Sequence, residues 1–492
     1  MRKFISNQSS VGKTPRFGVT PIEHIRFDHH SRDEITKILR ALQEVYLDEE
    51  LRSRIAEVLT QMIPEGVSHD KGREGMSLWC IFILGMLRLG CNWDYDKLKN
   101  CFDNHIQIRQ MAGVDLFCDL DKVVSLQSVN DNVSLFTNEI SDTISEMIIK
   151  FGHRKLFPNT KALNTRCDSF VFLSNVHFPT DFNLLLDSVR KCIDICAHSA
   201  EISGSSGWRE QNSMWNKIRG EYNTLSKMRN SNSKNETRKE KRKQEIHDKI
   251  RHYLDMAAKY MQKAEAYQHQ LGSKVPDLDR YLDYRKTFID QIRRRVFEDK
   301  KIPQEEKIYS IFEPYTEWIC KGKAGVRQKL GVKVCIVEDQ FGFIIAHRVM
   351  NKEQDKEVAF IMAESCKKSF TNLASMSFDK GYYSKRDENG KNNQTRIEDE
   401  LNVSAYIPVK GRRNKVDQER ETSSEFAAAR KQYPAVESAI NTLESHGLDR
   451  CPDRGDENYN RYVSMAVTAS KIHRLGALLL AKDLKKQQRK TA

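Results

Sequence analysis

Gly331-Val-Lys-Val-Cys-Ile-Val-Glu-Asp-Gln-Phe-Gly-Phe-Ile-Ile-Ala-His-Arg-Val349 decides the fold class of this chain. β-Branched and aromatic residues crowd both halves without helical spacing. Asp339-Gln-Phe-Gly342 is short enough for a hairpin, so 331–338 and 341–349 read as paired strands. An amphipathic helix, Glu357 to Phe370, follows, and Leu373-Ala-Ser-Met-Ser-Phe-Asp379 reads as a short buried strand ending in an acid, with Gly381 breaking the pattern. A helix through Ile397 to Leu401, a strand at Val403 to Pro408, a basic loop from Lys410 to Lys415 and a helix opening near Pro434 complete the run. Upstream, Asn164-Thr-Arg-Cys-Asp-Ser-Phe-Val-Phe-Leu-Ser-Asn-Val-His177 reads as a strand or hairpin. The order is strand, hairpin strands, helix, strand, helix, strand, helix, which describes an α/β mixed sheet with helices on its faces.

The 492 residues suffice for two or three domains, and a hydrophobic content of 39% supplies cores for them. Lys and Arg total 81 against 68 Asp and Glu, a formal charge of +13 that favours a polyanionic partner, nucleic acid first. Eleven cysteines lack the paired spacings of a zinc ribbon or disulfide scaffold, so reduced thiols in a cytosolic setting are expected. Cys192 and Cys196 sit in an apolar helical run with His198 nearby, and core filling explains them better than zinc. The N-terminus has no apolar leader segment, and the longest apolar run, Met76 to Gly90, is too short for a membrane span and contains Arg88. A buried helix is expected there, and no membrane association.

From Ser31 to Met62 apolar residues recur at helical spacing, with Ser31 and Glu34 in a capping-box pattern. Helices are also expected over Gly75–Leu89, Tyr95–Ala112 and Ser125–Phe151. The division expected is an N-terminal extension (1–30), a helical DNA-binding domain (31–155), the first part of the sheet core (156–200), an inserted helical arm (201–300), the remainder of the core (301–475) and a basic tail (476–492). The arm reads as a pair of long, polar, charged helices, opened by Gly204 to Gly207 and broken at Gly272 to Pro276.

Three acids occupy comparable places: Asp168 within the first strand, Asp379 just past the fourth, and Glu437 on the helix after the fifth. Were the first and fourth strands neighbours, their acids would converge, and a helix lying across the sheet would bring Glu437 to the same point. Carboxylates so placed could hold two Mg²⁺ ions about 4 Å apart, which activate a water or a 3′-hydroxyl for in-line phosphoryl displacement. Hard oxygen ligands suit Mg²⁺ or Mn²⁺. Taken singly, each acid has a plainer reading: Asp168 ion-paired to Arg166, Asp379 capping a turn with Gly381, Glu437 complementing a helix N-terminus.

The motifs around these acids resemble those of the DDE-class insertion-sequence transposases, particularly the ISNCY-like group. The resemblance runs over most of the chain: Met76-Ser-Leu-Trp79, Leu87-Arg-Leu-Gly90, Asp94-Tyr-Asp-Lys-Leu98 and Ile108-Arg-Gln-Met111 in the helical region; Asp168 with Asn175-Val-His-Phe-Pro-Thr-Asp-Phe-Asn-Leu-Leu185; Ile289-Asp-Gln-Ile-Arg-Arg-Arg-Val296; Ser310-Ile-Phe-Glu-Pro-Tyr-Thr-Glu-Trp-Ile-Cys-Lys-Gly-Lys-Ala-Gly325; Phe378-Asp-Lys-Gly-Tyr-Tyr383; and Pro434 to Gly455. It implies an RNase H-like catalytic core, a large helical insertion, an all-α N-terminal DNA-binding domain, and Asp168, Asp379 and Glu437 as catalytic metal ligands for two Mg²⁺ ions, with Mn²⁺ as substitute. The chain departs from the pattern after its first Asp, where Ser169, Phe170 and Leu173 stand, and at Glu444, where some relatives carry a lysine seven residues past the third acid.

Lys321, Lys323, Arg327, Lys380, Lys410, Arg412 and Arg413 are the candidate phosphate contacts, and His177 and Asp181 the candidate neighbours of the metal site. Trp318 and Tyr382 are candidates to stack on an unpaired base, with core packing as the plainer role. The function expected is binding of terminal inverted repeats, Mg-dependent cleavage and strand transfer into target DNA, by a homodimer or higher assembly in the cytoplasm at the nucleoid. The rivals are a nuclease on the same core that never joins, and a catalytically silent DNA-binding descendant.

Overall fold

A computed structural model describes residues 4, 18–63, 75–114, 124–229, 236–272, 274–320, 328–388 and 390–491. In chain order the helices before the sheet are α1 (Glu34–Leu47), α2 (Glu49–Thr60), α3 (Leu78–Gly90), α4 (Tyr95–Asn104), α5 (Ile106–Met111), α6 (Leu126–Val133) and α7 (Asn138–Leu156). Strand β1 (Leu163–Leu173) follows, then α8 (Asp181–Ser203), α9 (Gln211–Arg229), α10 (Glu236–Leu271) and α11 (Leu278–Phe297). Next come β2 (Glu317–Cys320), β3 (Gln328–Asp339), β4 (Ile344–Met350), α12 (Asp355–Ser369), β5 (Leu373–Phe378), α13 (Asn393–Leu401), β6 (Ser404–Tyr406), α14 (Lys415–Thr422), α15 (Ser424–Gln432), α16 (Pro434–Leu443) and α17 (Asp456–Thr491).

The chain is mixed α/β. Its six-stranded sheet has the order β2-β3-β1-β5-β6, with β4 also pairing β3. The 331–349 segment forms the expected antiparallel hairpin β3–β4, β1 runs antiparallel to β3, and β1, β5 and β6 run parallel. The central strand β1 needs apolar cover, and Phe170, Val171 and Phe172 are buried accordingly.

Two compact units result: Met1–Asn175 with Gly331–Ala492, and Val176–Leu330. The inserted unit therefore begins and ends about 25 to 30 residues away from the boundaries expected at 201 and 300, because α8 packs with α9, α10 and α11. Within the expected arm three helices, α9, α10 and α11, stand where two were expected, and α8 joins them from the segment assigned to the core. Their core includes Leu185, Ile193, Tyr253, Met261, Phe288 and Ile292, together with Cys192 and Cys196, whose thiols burial pushes up to about 12. Such cysteines fill space.

In the first unit, the helices expected to form a separate N-terminal domain share one compact body with the sheet. The reason is α17, a 36-residue helix that packs on α1, α3, α7 and β4. It takes in residues 476–491, so the expected basic tail is its last stretch. Leu479 and Leu480 are buried, and Arg40 of α1 binds Asp483 at 3.0 Å. The apolar run 78–90 is the buried helix foreseen, and its Arg88 lies 3.6 Å from Asp453 and over the rings of Tyr95 and Tyr462. The Ser31 capping box does not form: Asp33 caps α1, and Glu34 instead meets Lys37 and His473. Among the described residues no helix is long and apolar enough to cross a membrane.

The backbones of α17 and α1 approach closely at Gly476, where a Cβ would lie 1.7 Å from the Lys37 carbonyl oxygen. Gly476→Ala must push α17 off α1. Overpacking of this kind predicts a loss of about 3 kcal/mol, read as a lower midpoint in denaturant unfolding with little change in slope.

Candidate active site

Parallel pairing of β1 with β5 sets Cys167 opposite Phe378. The next residue on each chain is an acid, so Asp168 and Asp379 stand level on neighbouring strands, whose spacing is about 5 Å. Asp168 lies inside the long β1, half-buried, while β5 ends at Phe378 and leaves Asp379 exposed.

The third acid is brought in by two anchors. Tyr433, just before Pro434 at the start of α16, donates its hydroxyl to the carbonyl of Cys167 at 3.1 Å. Arg430, on α15, donates to the carbonyl of Phe378 at 2.8 Å and stacks 4.2 Å from the Tyr433 ring. Each anchor thus grips the residue preceding one aspartate. Glu437 is four residues past Tyr433, one helical turn along the same face, and is exposed.

The charges feel one another. Burial pushes the Asp168 carboxyl up to about 6, against the backbone hydrogen bond from Ser169; Asp379, Glu437 and then Asp355 push it further in the same direction. Among the described residues none of Asp168, Asp379 and Glu437 makes a salt bridge. Burial first, with Asp168 and Asp379 next, also holds the Tyr433 phenol protonated, in the state that donates to Cys167. The plainer readings of the two aspartates are not realised: Arg166 pairs instead with Glu338 at 2.9 Å, and Asp379 makes no capping hydrogen bond to its turn. Glu437 does occupy a helical first turn.

A hard divalent cation fits this donor set by chemistry, as uncompensated carboxylates that repel one another. The spacing is looser: among the described residues no three His, Cys, Asp or Glu side chains are arranged to hold an ion as they stand.

The other candidate residues divide. Lys380 follows Asp379 directly and is exposed, as are Lys410 and Arg412. Because β6 runs parallel to β5, the 410–413 loop leaves from the same sheet edge as Asp379. Arg413 is committed to Glu421 at 3.0 Å. Lys321, Lys323 and Arg327 lie outside the described residues. His177 and Asp181 belong to the inserted unit, where His177 faces Asp187 at 3.4 Å and Asp181 binds Arg295 at 3.0 Å. Tyr382 is buried with its hydroxyl 3.2 Å from the Cys335 sulfur, which is a packing role, while the half-buried Trp318 lies against the rings of Tyr309 and Phe178. Sequence reasoning missed Arg430, Tyr433 as an anchor, and Asp355; only the Arg-x-x-Tyr-x-x-x-Glu spacing before Glu437 carried a trace of the first two.

No family model, curated protein or solved structure matches this chain.

A carboxyl raised from 3.8 to about 6 binds its proton more tightly in the folded chain, so this group's contribution to stability rises as pH falls from 7 towards 4. Asp168→Asn is therefore expected to raise the metal-free melting temperature at pH 7 by on the order of 2 °C, and to raise it little near pH 4. Paired melts at the two pH values check the sign.

Proposed function

We propose that the protein is a DDE-class insertion-sequence transposase with an RNase H-like core, and that Asp168, Asp379 and Glu437 are its catalytic metal ligands. One observation carries the reading: the Cys167–Phe378 register sets two aspartates side by side, at the place where the Tyr433 anchor brings Glu437. The three-stranded antiparallel part of the sheet, extended by two parallel strands, supports the core assignment. The motif resemblance supplies the reaction class, and the charge of +13 agrees with a DNA partner.

In this reading Asp168, the least exposed of the three, would hold the ions together with Asp379 and Glu437. Two such ions activate the attacking water or 3′-hydroxyl and offset charge on the leaving oxygen. The chain's part is to hold the acids on a rigid strand, a strand end and an anchored helix, so that the scissile phosphate is met in one orientation. Lys380, Lys410 and Arg412 would take neighbouring phosphates. The helical N-terminal part would read the terminal inverted repeats. The inserted unit would contact DNA or a second copy of the chain in a homodimer or larger assembly, at the nucleoid.

The test uses oligonucleotides carrying the terminal inverted repeats, with Mg²⁺ or Mn²⁺. Wild type should nick the ends and join pre-nicked ends to target DNA. Asp168→Ala, Asp379→Ala and Glu437→Ala should each lose more than about 100-fold in both steps. Cleavage without joining would identify a nuclease on the same core, and repeat binding without either step a silent DNA-binding descendant.

A further inference from the structure

Of the three acids whose charge acts on Asp168, Asp355 has side-chain partners among the described residues. It is the first residue of α12, whose N-cap Gln354 and Glu357 form a reciprocal capping box. Its Oδ1 accepts from the Ser169 hydroxyl at 2.8 Å, and Lys333 Nζ on β3 donates to Oδ2 at 3.1 Å and to Oδ1 at 3.3 Å. Both oxygens are thus occupied by donors, unlike those of Asp379 and Glu437.

Its neighbours are the two segments that carry the aspartates. Ser169 follows Asp168, and because side chains alternate along a strand it leaves β1 on the opposite face. On another side, a Cβ at Gly381 would lie 3.1 Å from Asp355 Oδ2, so the carboxylate rests against the turn Lys380–Tyr382, whose N-cap is Asp379. The turn is fixed to the same helix end a second time: Asn393 Nδ2 donates to the carbonyl of Lys356 at 2.6 Å and to that of Tyr382 at 2.9 Å.

We infer that Asp355 is a positioning residue, which sets Asp168 and Asp379 relative to each other by holding Ser169 and the Gly381 turn on one carboxylate that Lys333 neutralises. The inference rests on the metal-ligand reading of the two aspartates. It gives Gly381 a physical reason: a side chain there would press the turn, and Asp379 with it, away from Asp355. Strand pairing brings the aspartates level, and the Asp355 bridge removes the freedom that the exposed, strand-ending Asp379 would otherwise keep.

The experiment measures Mn²⁺ binding to the full-length protein by calorimetry, alongside end cleavage as a function of Mn²⁺. The variants are Ser169→Ala, Gly381→Ala, Asp355→Asn and Asp355→Glu. Partners of this kind are worth about 10 to 100-fold in metal affinity or activity. Ser169→Ala and Gly381→Ala are expected to weaken Mn²⁺ binding about 10-fold and to shift the cleavage curve to higher Mn²⁺ while leaving its plateau largely restored. Asp355→Asn keeps the shape but leaves Lys333 without its counter-charge, and is expected to lose more than Asp355→Glu. Circular dichroism melts identify any variant that has unfolded, and the remaining variants decide. If wild type binds no Mn²⁺, the metal-ligand reading fails. Binding by wild type with unchanged affinity and cleavage curves in folded Ser169→Ala and Gly381→Ala overturns the positioning role alone.

Discussion

The parallel pairing of β1 with β5 is the constraint on which the candidate site depends. β1 is held on its other edge by nine residue pairs with β3, from Thr165 to Leu173, so its register cannot slip without turning Phe170 and Phe172 out of the core. Once β1 is fixed, Asp168 is fixed with it. The pairing with β5 then determines where that strand may end, and Asp379 falls at its end. Beyond the acids, Arg450 bridges Leu173, and Cys451 donates to the Leu173 carbonyl at 2.8 Å, so the chain leaving α16 returns to the far end of the same strand.

Around this frame several charged side chains are paired. Arg166 and Glu338 pair across β1 and β3, and His153 meets the buried Asp339 at 2.6 Å. Deep between α7, β4 and α17, burial lowers Lys471 to about 8 and His347 to about 4, although Asp142 opposes both shifts, while Ser145 and Ser464 accept or share their protons. The contrast is physical: Arg166, Glu338 and Asp339 each meet a partner and burial pulls Lys471 and His347 towards their neutral forms, whereas Asp168 has Asp379 and Glu437 as like-charged neighbours. Carboxylates left in mutual repulsion favour a cation, and function is the usual reason for keeping them so.

The sheet was largely legible in the sequence because strand signals are local. The crowding of β-branched residues at 331–349 and the short link at 339–342 were enough for the hairpin, and the 164–173 and 373–378 strands were recognisable in the same way. The inserted unit was harder. Polar, charged helices such as α10 give little periodic signal, so three helices read as two, and α8, apolar enough to pass for part of the core, was assigned to the other side of the boundary. The short edge strand Glu317–Cys320 carries too few residues to stand out from the loop around it.

By itself the sequence determined the residue types and their order: acids at one strand, one strand end and one helix, with a mixed-sheet pattern between them, because propensity and hydrophobic period act over neighbouring residues. Only the tertiary structure decided that β1 and β5 are adjacent, that Arg430 and Tyr433 clasp the carbonyls before the two aspartates, and that Asp355 touches the segments bearing both. The Arg430 and Tyr433 contacts join positions 52 and 266 residues apart, and Asp355 reaches Ser169 across 186. No local rule encodes such distances, since they follow from which surfaces the whole chain can bury together.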